Sequence, residues 1–170
     1  SFFANMGRYE LPGSPPRIEK MDSVDLTSRQ LIDWVNGFYR LFSIDGDHQM
    51  EEALGDGTCV INALSPGNHD GSEADYGRPG HLPGASNVYA LHLLDRTTQC
   101  YLPLDQLEVL FADMTAGKDS IVTYCGGGIA ATSDAFVLNA LLGYNNVAVY
   151  DGSLSEWLLD ADRPLEVDIT

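Results

Sequence analysis

A cysteine followed by three glycines, in Tyr124-Cys125-Gly126-Gly127-Gly128, is the segment of this chain whose residue types and spacing could do chemistry. Ser120 to Tyr124 before it is β-branched and reads as a buried strand. Ala130 to Leu142 after it reads as a helix closed by Gly143. A sulfur at the carboxyl end of such a strand stands where several backbone N–H groups can converge. Glycine permits positive φ and close approach, so the loop can curl into a nest of donors around one anionic atom. The positive end of the following helix adds to that field. The chemistry implied is that of a thiolate nucleophile held by the main chain, a form that attacks sulfur or carries it. The competing reading makes Cys125 one more buried small hydrophobe and the glycines a plain turn. Three successive glycines carry a chain-entropy cost that a plain turn does not require, which favours the functional reading. A glycine-rich turn can also hold a phosphate, but no Gly-Lys-Ser/Thr follows and no G-x-G-x-x-G is present, so the signal for a nucleotide is weak.

The elements that must position Cys125 are legible as an alternation. Cys59 to Ala63 is a short apolar run between Gly57 and Pro66-Gly67, as expected for a strand buried on both faces. Ser65 to Gly84, rich in Gly, Pro, Asn and Asp, reads as a long surface loop leading into a weaker strand at Ala85 to Tyr89. Leu104, Leu107, Leu110, Phe111 and Met114 recur at helical spacing after Pro103, with Gly117 as the stop. Val147 to Tyr150 is a further buried strand. Near the start, Thr27 and Gln30 form a capping box ahead of Leu31, Trp34, Val35, Phe38, Leu41 and Phe42, an amphipathic helix. Residues 1–22, with Pro12, Gly13, Ser14, Pro15 and Pro16, read as an extended arm or inter-domain linker, and residues 23–170 as the domain. Strands alternating with helices predict an α/β fold: a central parallel sheet with helices on both faces, and ligands beyond the carboxyl ends of the strands.

The 170 residues suffice for one domain, and 44% hydrophobic residues suffice for its core. Twenty-five acidic against nine basic residues give a net charge of −16, which disfavours nucleic acid and anionic membrane surfaces as partners. Only Lys20 and Lys118 are lysines, so an anionic small substrate must be met by a local arginine or by backbone dipoles. Cys59, Cys100 and Cys125 show neither C-x-x-C nor zinc-like spacing, and an odd count is no disulfide framework. A reducing, cytoplasmic compartment is expected, with no metal and no cofactor. No run approaches the roughly 18 apolar residues of a membrane span.

Three segments carry a resemblance. Tyr124-Cys125-Gly126-Gly127-Gly128-Ile129-Ala130-Ala131, then Val147 to Ser153 followed by Glu156-Trp157, is similar to the catalytic half of the rhodanese superfamily, in particular the mercaptopyruvate and thiosulfate sulfurtransferases. Gly80-His81-Leu82-Pro83-Gly84-Ala85 resembles a G-H-I-P-G-A segment of the same superfamily. Order and spacing are kept over roughly residues 25–166. The resemblance implies a rhodanese-like three-layer fold. It also implies a Cys125 persulfide formed from a small sulfur donor, 3-mercaptopyruvate-like or thiosulfate, and discharged to a thiol or cyanide. Backbone N–H groups of Gly126, Gly127, Gly128, Ile129 and Ala130 would stabilise thiolate and persulfide. Arg78 would hold the donor's carboxylate, while His81 reads as a residue fixing its turn, and Tyr150 and Trp157 as core.

Departures from the pattern shape the expectation. Ala131 stands where related phosphatases carry the arginine of a C-x5-R clamp, which argues against phosphatase chemistry. Gly126 replaces the arginine usual in thiosulfate-type loops, which points toward a mercaptopyruvate-like or protein-bound donor. Gly127 and Ala130 lack hydroxyls common in the family, and Asn62 and Leu64 replace the Asp and Arg of a D-A-R strand end. Many relatives of the tandem type have an inactive first half, so the expectation is either the catalytic second domain of a tandem enzyme, partnered by a second rhodanese-like domain upstream, or a single-domain relative with an N-terminal arm. The alternative function is a non-catalytic sulfur-carrier or protein-binding module.

Overall fold

The computed structural model describes residues 50, 51, 54 and 57–168; the arm of residues 1–22 and the amphipathic helix after Thr27 lie outside them. Among the described residues four strands form one sheet: β1 (Cys59–Asn62), β2 (Ser86–Asn87), β3 (Ile121–Tyr124) and β4 (Val147–Val149). Their spatial order is β2-β1-β3-β4 and every pairing is parallel, with Cys59 opposite Ile121 and Ile121 opposite Val147. Every residue of β1, β3 and β4 is buried, so both faces of these strands are covered. That coverage is why they read as unbroken apolar runs instead of alternating ones. Parallel pairing demands crossovers, and the helices supply them.

The α-helices within residues 57–168 are α1 (Pro66–Asp70), α2 (Leu104–Thr115), α3 (Ile129–Phe136) and α4 (Ser153–Trp157). Leu107 and Phe111, one turn apart on α2, are fully buried, as the spacing predicts. The helix expected over residues 130–142 is α-helical only to Phe136. Val137–Leu141 forms a π turn, and Gly143 at φ 80° ends the run. Ala131 and Ala135 are fully buried, and α3 packs on β3 and β4. Small side chains there let the helix lie close to the sheet.

Two expectations are corrected. The stretch from Ser65 to Gly84 is not simply a surface loop. It holds α1, whose cap is Ser65, its hydroxyl accepting from the Asn68 N–H at 3.3 Å, and it buries Asn68, His69, His81 and Leu82. The weaker strand is only Ser86–Asn87, and the chain turns at once into a 3₁₀ helix over Ala90–Leu93. In both cases short polar side chains bond the backbone locally, a competition that hydrophobic periodicity does not register. Asn87 Nδ2 donates to the carbonyls of Asn62 and Leu64 at 2.8 and 2.9 Å.

Candidate active site

Cys125 follows directly on β3 at the carboxyl end of the central strands, 2% exposed. The other two thiols stand in different surroundings. Cys59 lies within β1, where burial pushes its thiol up to about 11 against the opposing pull of Lys118. Cys100 is exposed, and its thiol donates to the Thr98 carbonyl at 3.7 Å.

The loop after Cys125 is held from beneath by α4, through a residue that the sequence does not single out. Ser153 is fully buried at φ 49°, an uncommon backbone conformation for a residue with a side chain. Its hydroxyl accepts from the N–H groups of Cys125 and Gly128, both at 3.1 Å, and donates to the Tyr150 carbonyl at 2.7 Å. Two acceptor sites and one donor are the full capacity of a serine hydroxyl. Ser153 therefore pins both ends of the loop with nothing left over. The next amides continue the attachment: Leu154 N–H donates to the Cys125 carbonyl at 3.0 Å and Ser155 N–H to the Gly126 carbonyl at 2.9 Å. The Ser155 hydroxyl reaches that same Gly126 oxygen at 2.6 Å. Thr123 Oγ1 donates to the Ala131 carbonyl at 2.9 Å, tying β3 to α3 across the loop.

This anchoring decides where the loop's own donors point. Among the described residues no peptide is cis, and in a trans peptide the C=O of one residue and the N–H of the next are opposed. With the Cys125 and Gly126 carbonyls turned toward α4, the N–H groups of Gly126 and Gly127 face the other way. Ile129 and Ala130 open α3, where the first N–H groups have no intrahelical acceptor. Among the described residues these four amides have no hydrogen-bonded partner. The Gly128 amide differs, being committed to Ser153. Gly128 itself sits at φ 84°, and a β-carbon on it would stand 2.7 Å from Asp151 Oδ1, so the turn requires glycine there. Gly127 is exposed and roomy: a β-carbon would meet only the Ser155 hydroxyl, at 3.6 Å. The Ile129 side chain is exposed, and Ala130 is half-buried.

A second residue absent from the sequence reading, Tyr76, lies over Gly126. A β-carbon there would overlap the phenol ring. Two residues on, Arg78 Nη2 donates to the Arg163 carbonyl at 3.0 Å, while its Nη1 is buried without a partner among the described residues. Arg78 is thus a half-buried side chain with one terminal nitrogen anchored and the other unused among the described residues. The sequence signal for Tyr76 is thin: an aromatic in a stretch of Gly, Asp and Glu, close to Arg78.

His81 and its neighbours form a framework. The His81 Nδ1–H donates to the His69 carbonyl at 2.7 Å, and the His81 backbone exchanges two hydrogen bonds with Glu166, both at 2.9 Å. The Tyr124 hydroxyl, from the end of β3, accepts from the Leu82 N–H at 3.0 Å. His69 stacks on His81 with centroids 3.8 Å apart, and ligand atoms of His69, His81 and Asp168 lie within 4.8 Å of one another. The hydrogen bonding does not suit a metal ion. Asn62 Oδ1 accepts from the Leu64 N–H at 3.0 Å, so its Nδ2 donates to His69 Nδ1 at 3.3 Å. The neutral ring then carries its proton on Nε2, the atom that faces Asp168.

A family model described as Rhodanese-like domain matches residues 65–160. The 3-mercaptopyruvate sulfurtransferase of Escherichia coli K12 is 37% identical over 120 residues, 64% of this chain and 40% of its own length. The thiosulfate sulfurtransferase of Corynebacterium glutamicum is 32% identical over 120 residues, 65% of this chain and 38% of its own. Among solved structures, the Tum1 protein of Saccharomyces cerevisiae superposes with a TM-score of 0.59 at 26% identity, covering 71% of this chain and 43% of that one. The chain spans less than half the length of these relatives. No helix of the described residues is long and apolar enough to cross a membrane.

Proposed function

The chain belongs to the family of rhodanese-like domains, and from that premise we propose that it is a sulfurtransferase working through a persulfide on Cys125. The observation that carries the proposal is the placement of one thiol at the carboxyl end of β3, beside a loop whose Gly126, Gly127, Ile129 and Ala130 amides have no other partner among the described residues. Backbone donors fixed before the reaction stabilise developing negative charge without reorganising.

In the first half-reaction the Cys125 thiolate attacks the outer sulfur of the donor. A new S–S bond forms as the donor's bond to that sulfur breaks. The leaving group departs with the bonding pair, as sulfite from thiosulfate or as the enolate of pyruvate from 3-mercaptopyruvate, and the enolate takes up a proton. In the second, a thiolate or cyanide attacks the terminal sulfur and Cys125 leaves as the thiolate. The unused Nη1 of Arg78 supports its assignment to the donor's carboxylate, which a guanidinium fork suits. Gly126, uncharged where thiosulfate-type loops carry arginine, supports a mercaptopyruvate-like donor.

Intact mass spectrometry after incubation with each donor tests the reading. A gain of one sulfur, about 32 Da, lost on adding cyanide and absent from Cys125→Ser, is expected. No mass gain with either donor, and no thiocyanate formed, would leave the alternative of a non-catalytic module.

A further inference from the structure

We propose that Tyr76 is the cover of the Cys125 site and its donor filter: its ring occupies the volume that a side chain at position 126 would fill, and entry to the thiol passes beside it. The donor-selecting half of this statement rests on the sulfurtransferase reading above, whereas the covering half does not.

Four observations meet at this residue. First, the ring and Gly126 are complementary, since a β-carbon at 126 would fall within the ring's own envelope. Glycine at 126 and tyrosine at 76 are therefore one device. Second, Cys125 is 2% exposed although it stands at the sheet end where the loop opens, whereas Tyr76, over the adjoining Gly126, is 41% exposed. The ring stands on the solvent side of the buried Gly126. Third, the phenol's ionisation is pushed up, by burial first and by Cys125 next. Fourth, the segment bearing Tyr76 is fastened on both sides. Asn68 Nδ2 donates to Asp75 Oδ2 at 3.0 Å, the Asp75 N–H returns to Asn68 Oδ1 at 3.2 Å, and Arg78 is tied to the Arg163 carbonyl. A half-exposed ring between two anchored neighbours can swing on its own side-chain torsions while its backbone stays in place.

The chemical consequence concerns charge. An arginine at 126 would offer a cation to a doubly charged inorganic donor, and here an uncharged ring takes that space. A dianion entering beside it finds no compensating charge from position 126, in a chain already carrying −16. A singly charged organic thiol with a planar carbonyl can lie against the ring and direct its carboxylate elsewhere.

Alkylation of the full chain by iodoacetamide, read by peptide mapping with exposed Cys100 as internal standard, tests the cover without any turnover. Tyr76→Ala is expected to raise the Cys125-to-Cys100 rate ratio at least tenfold, and Tyr76→Phe, which keeps the ring, to leave it unchanged. Gly126→Arg alone is expected to lower the melting temperature, and adding Tyr76→Ala to restore it. The double variant is expected to gain at least tenfold in the kcat/KM ratio of thiosulfate to 3-mercaptopyruvate relative to wild type. An unchanged alkylation ratio in Tyr76→Ala, or a Gly126→Arg chain as stable as wild type, overturns the cover. A normal alkylation response with an unaltered donor ratio overturns the filter alone, and absence of all turnover with an intact alkylation response refutes the sulfurtransferase reading and not the cover.

Discussion

Ser153 shows how much of the site depends on one hydroxyl committed to the main chain. It accepts two buried N–H groups and donates to a buried carbonyl, so its removal leaves the Cys125 and Gly128 N–H groups short of this acceptor. Each buried group left unsatisfied costs about 1–3 kcal/mol, and some are rescued by water or small shifts. Ser153→Ala is therefore expected to lose roughly 2–4 kcal/mol of stability in urea titrations. Persulfide formation should slow as well, because the Cys125 and Gly128 amides are freed to turn. A variant with unchanged midpoint and rate would show that α4 holds the loop without it. Gly127 makes the opposite case. The glycine there has room for a side chain and is not at positive φ, so Gly127→Ser is expected to fold with its midpoint shifted by less than about 1 kcal/mol. If the hydroxyl missing from this position limits turnover, the same variant should raise kcat with 3-mercaptopyruvate several-fold. An unchanged kcat would mean that the amides suffice without it.

At the scale of elements, what could be read from the chain was what periodicity and glycine encode. β1, β3, β4 and α2 fell where apolar runs and i, i+3, i+4 spacing put them, because tertiary burial of those faces is what the pattern records. The short α1, the curtailed β2 and the π turn were not legible, since each is settled by polar side chains and packing over a few residues, with no repeat to detect. Ser153 escaped for a related reason: its partners lie 25 and 28 residues away, at spacings set by the crossover and not by any local motif. α3 also carries something that the pattern would not predict. Asp134 is fully buried on the apolar side of the helix, and neither carboxyl oxygen has a partner among the described residues. Burial holds its ionisation well above the usual carboxylate range. The folded state therefore binds a proton that the unfolded state releases above about pH 4, and stability falls as pH rises until Asp134 ionises in the fold. The slope is at most about 1.4 kcal/mol per pH unit. Asp134→Asn removes the titration, so the difference in urea midpoint between variant and wild type should grow in the variant's favour from pH 4 upward. Parallel curves for the two proteins would mean that the carboxyl finds a partner in solution.

The molecule as a whole is closed by a return of its C-terminal segment onto the crossover between β1 and β2. Glu166 pairs with His81, Asp168 N–H donates to the Asp70 carbonyl at 3.0 Å, and Gly84 N–H donates to Glu166 Oε2 at 2.8 Å. His69 lies at the centre of this closure, against His81 and 3.7 Å from Asp168. Burial first, and the neighbouring His81 second, lower its ionisation to about 4, and the opposing pulls of Asp168 and Asp70 do not offset them. A histidine whose folded value is depressed stabilises the fold at neutral pH, and the benefit is lost as pH falls from about 6.5 toward 4, where the unfolded chain takes up the proton first. Allowing for solvent screening, the loss is roughly 2 kcal/mol. The chain's charge of −16 works in the other direction, since protonating carboxylates relieves self-repulsion, but that relief is concentrated near and below pH 4.5. Asp134 titrates in the opposite sense over that interval, so the histidine's part is read in an Asp134→Asn background. That chain is expected to show a falling denaturant midpoint from pH 6.5 to 5, and its His69→Gln derivative a nearly flat one from a lower starting point. Because the same contacts hold Gly80 to Gly84 in place below Tyr124, the acid transition should appear in hydrogen exchange at Leu82 before it reaches Val122. Simultaneous loss of protection at both positions would mean that the closure is no weaker than the sheet it fastens.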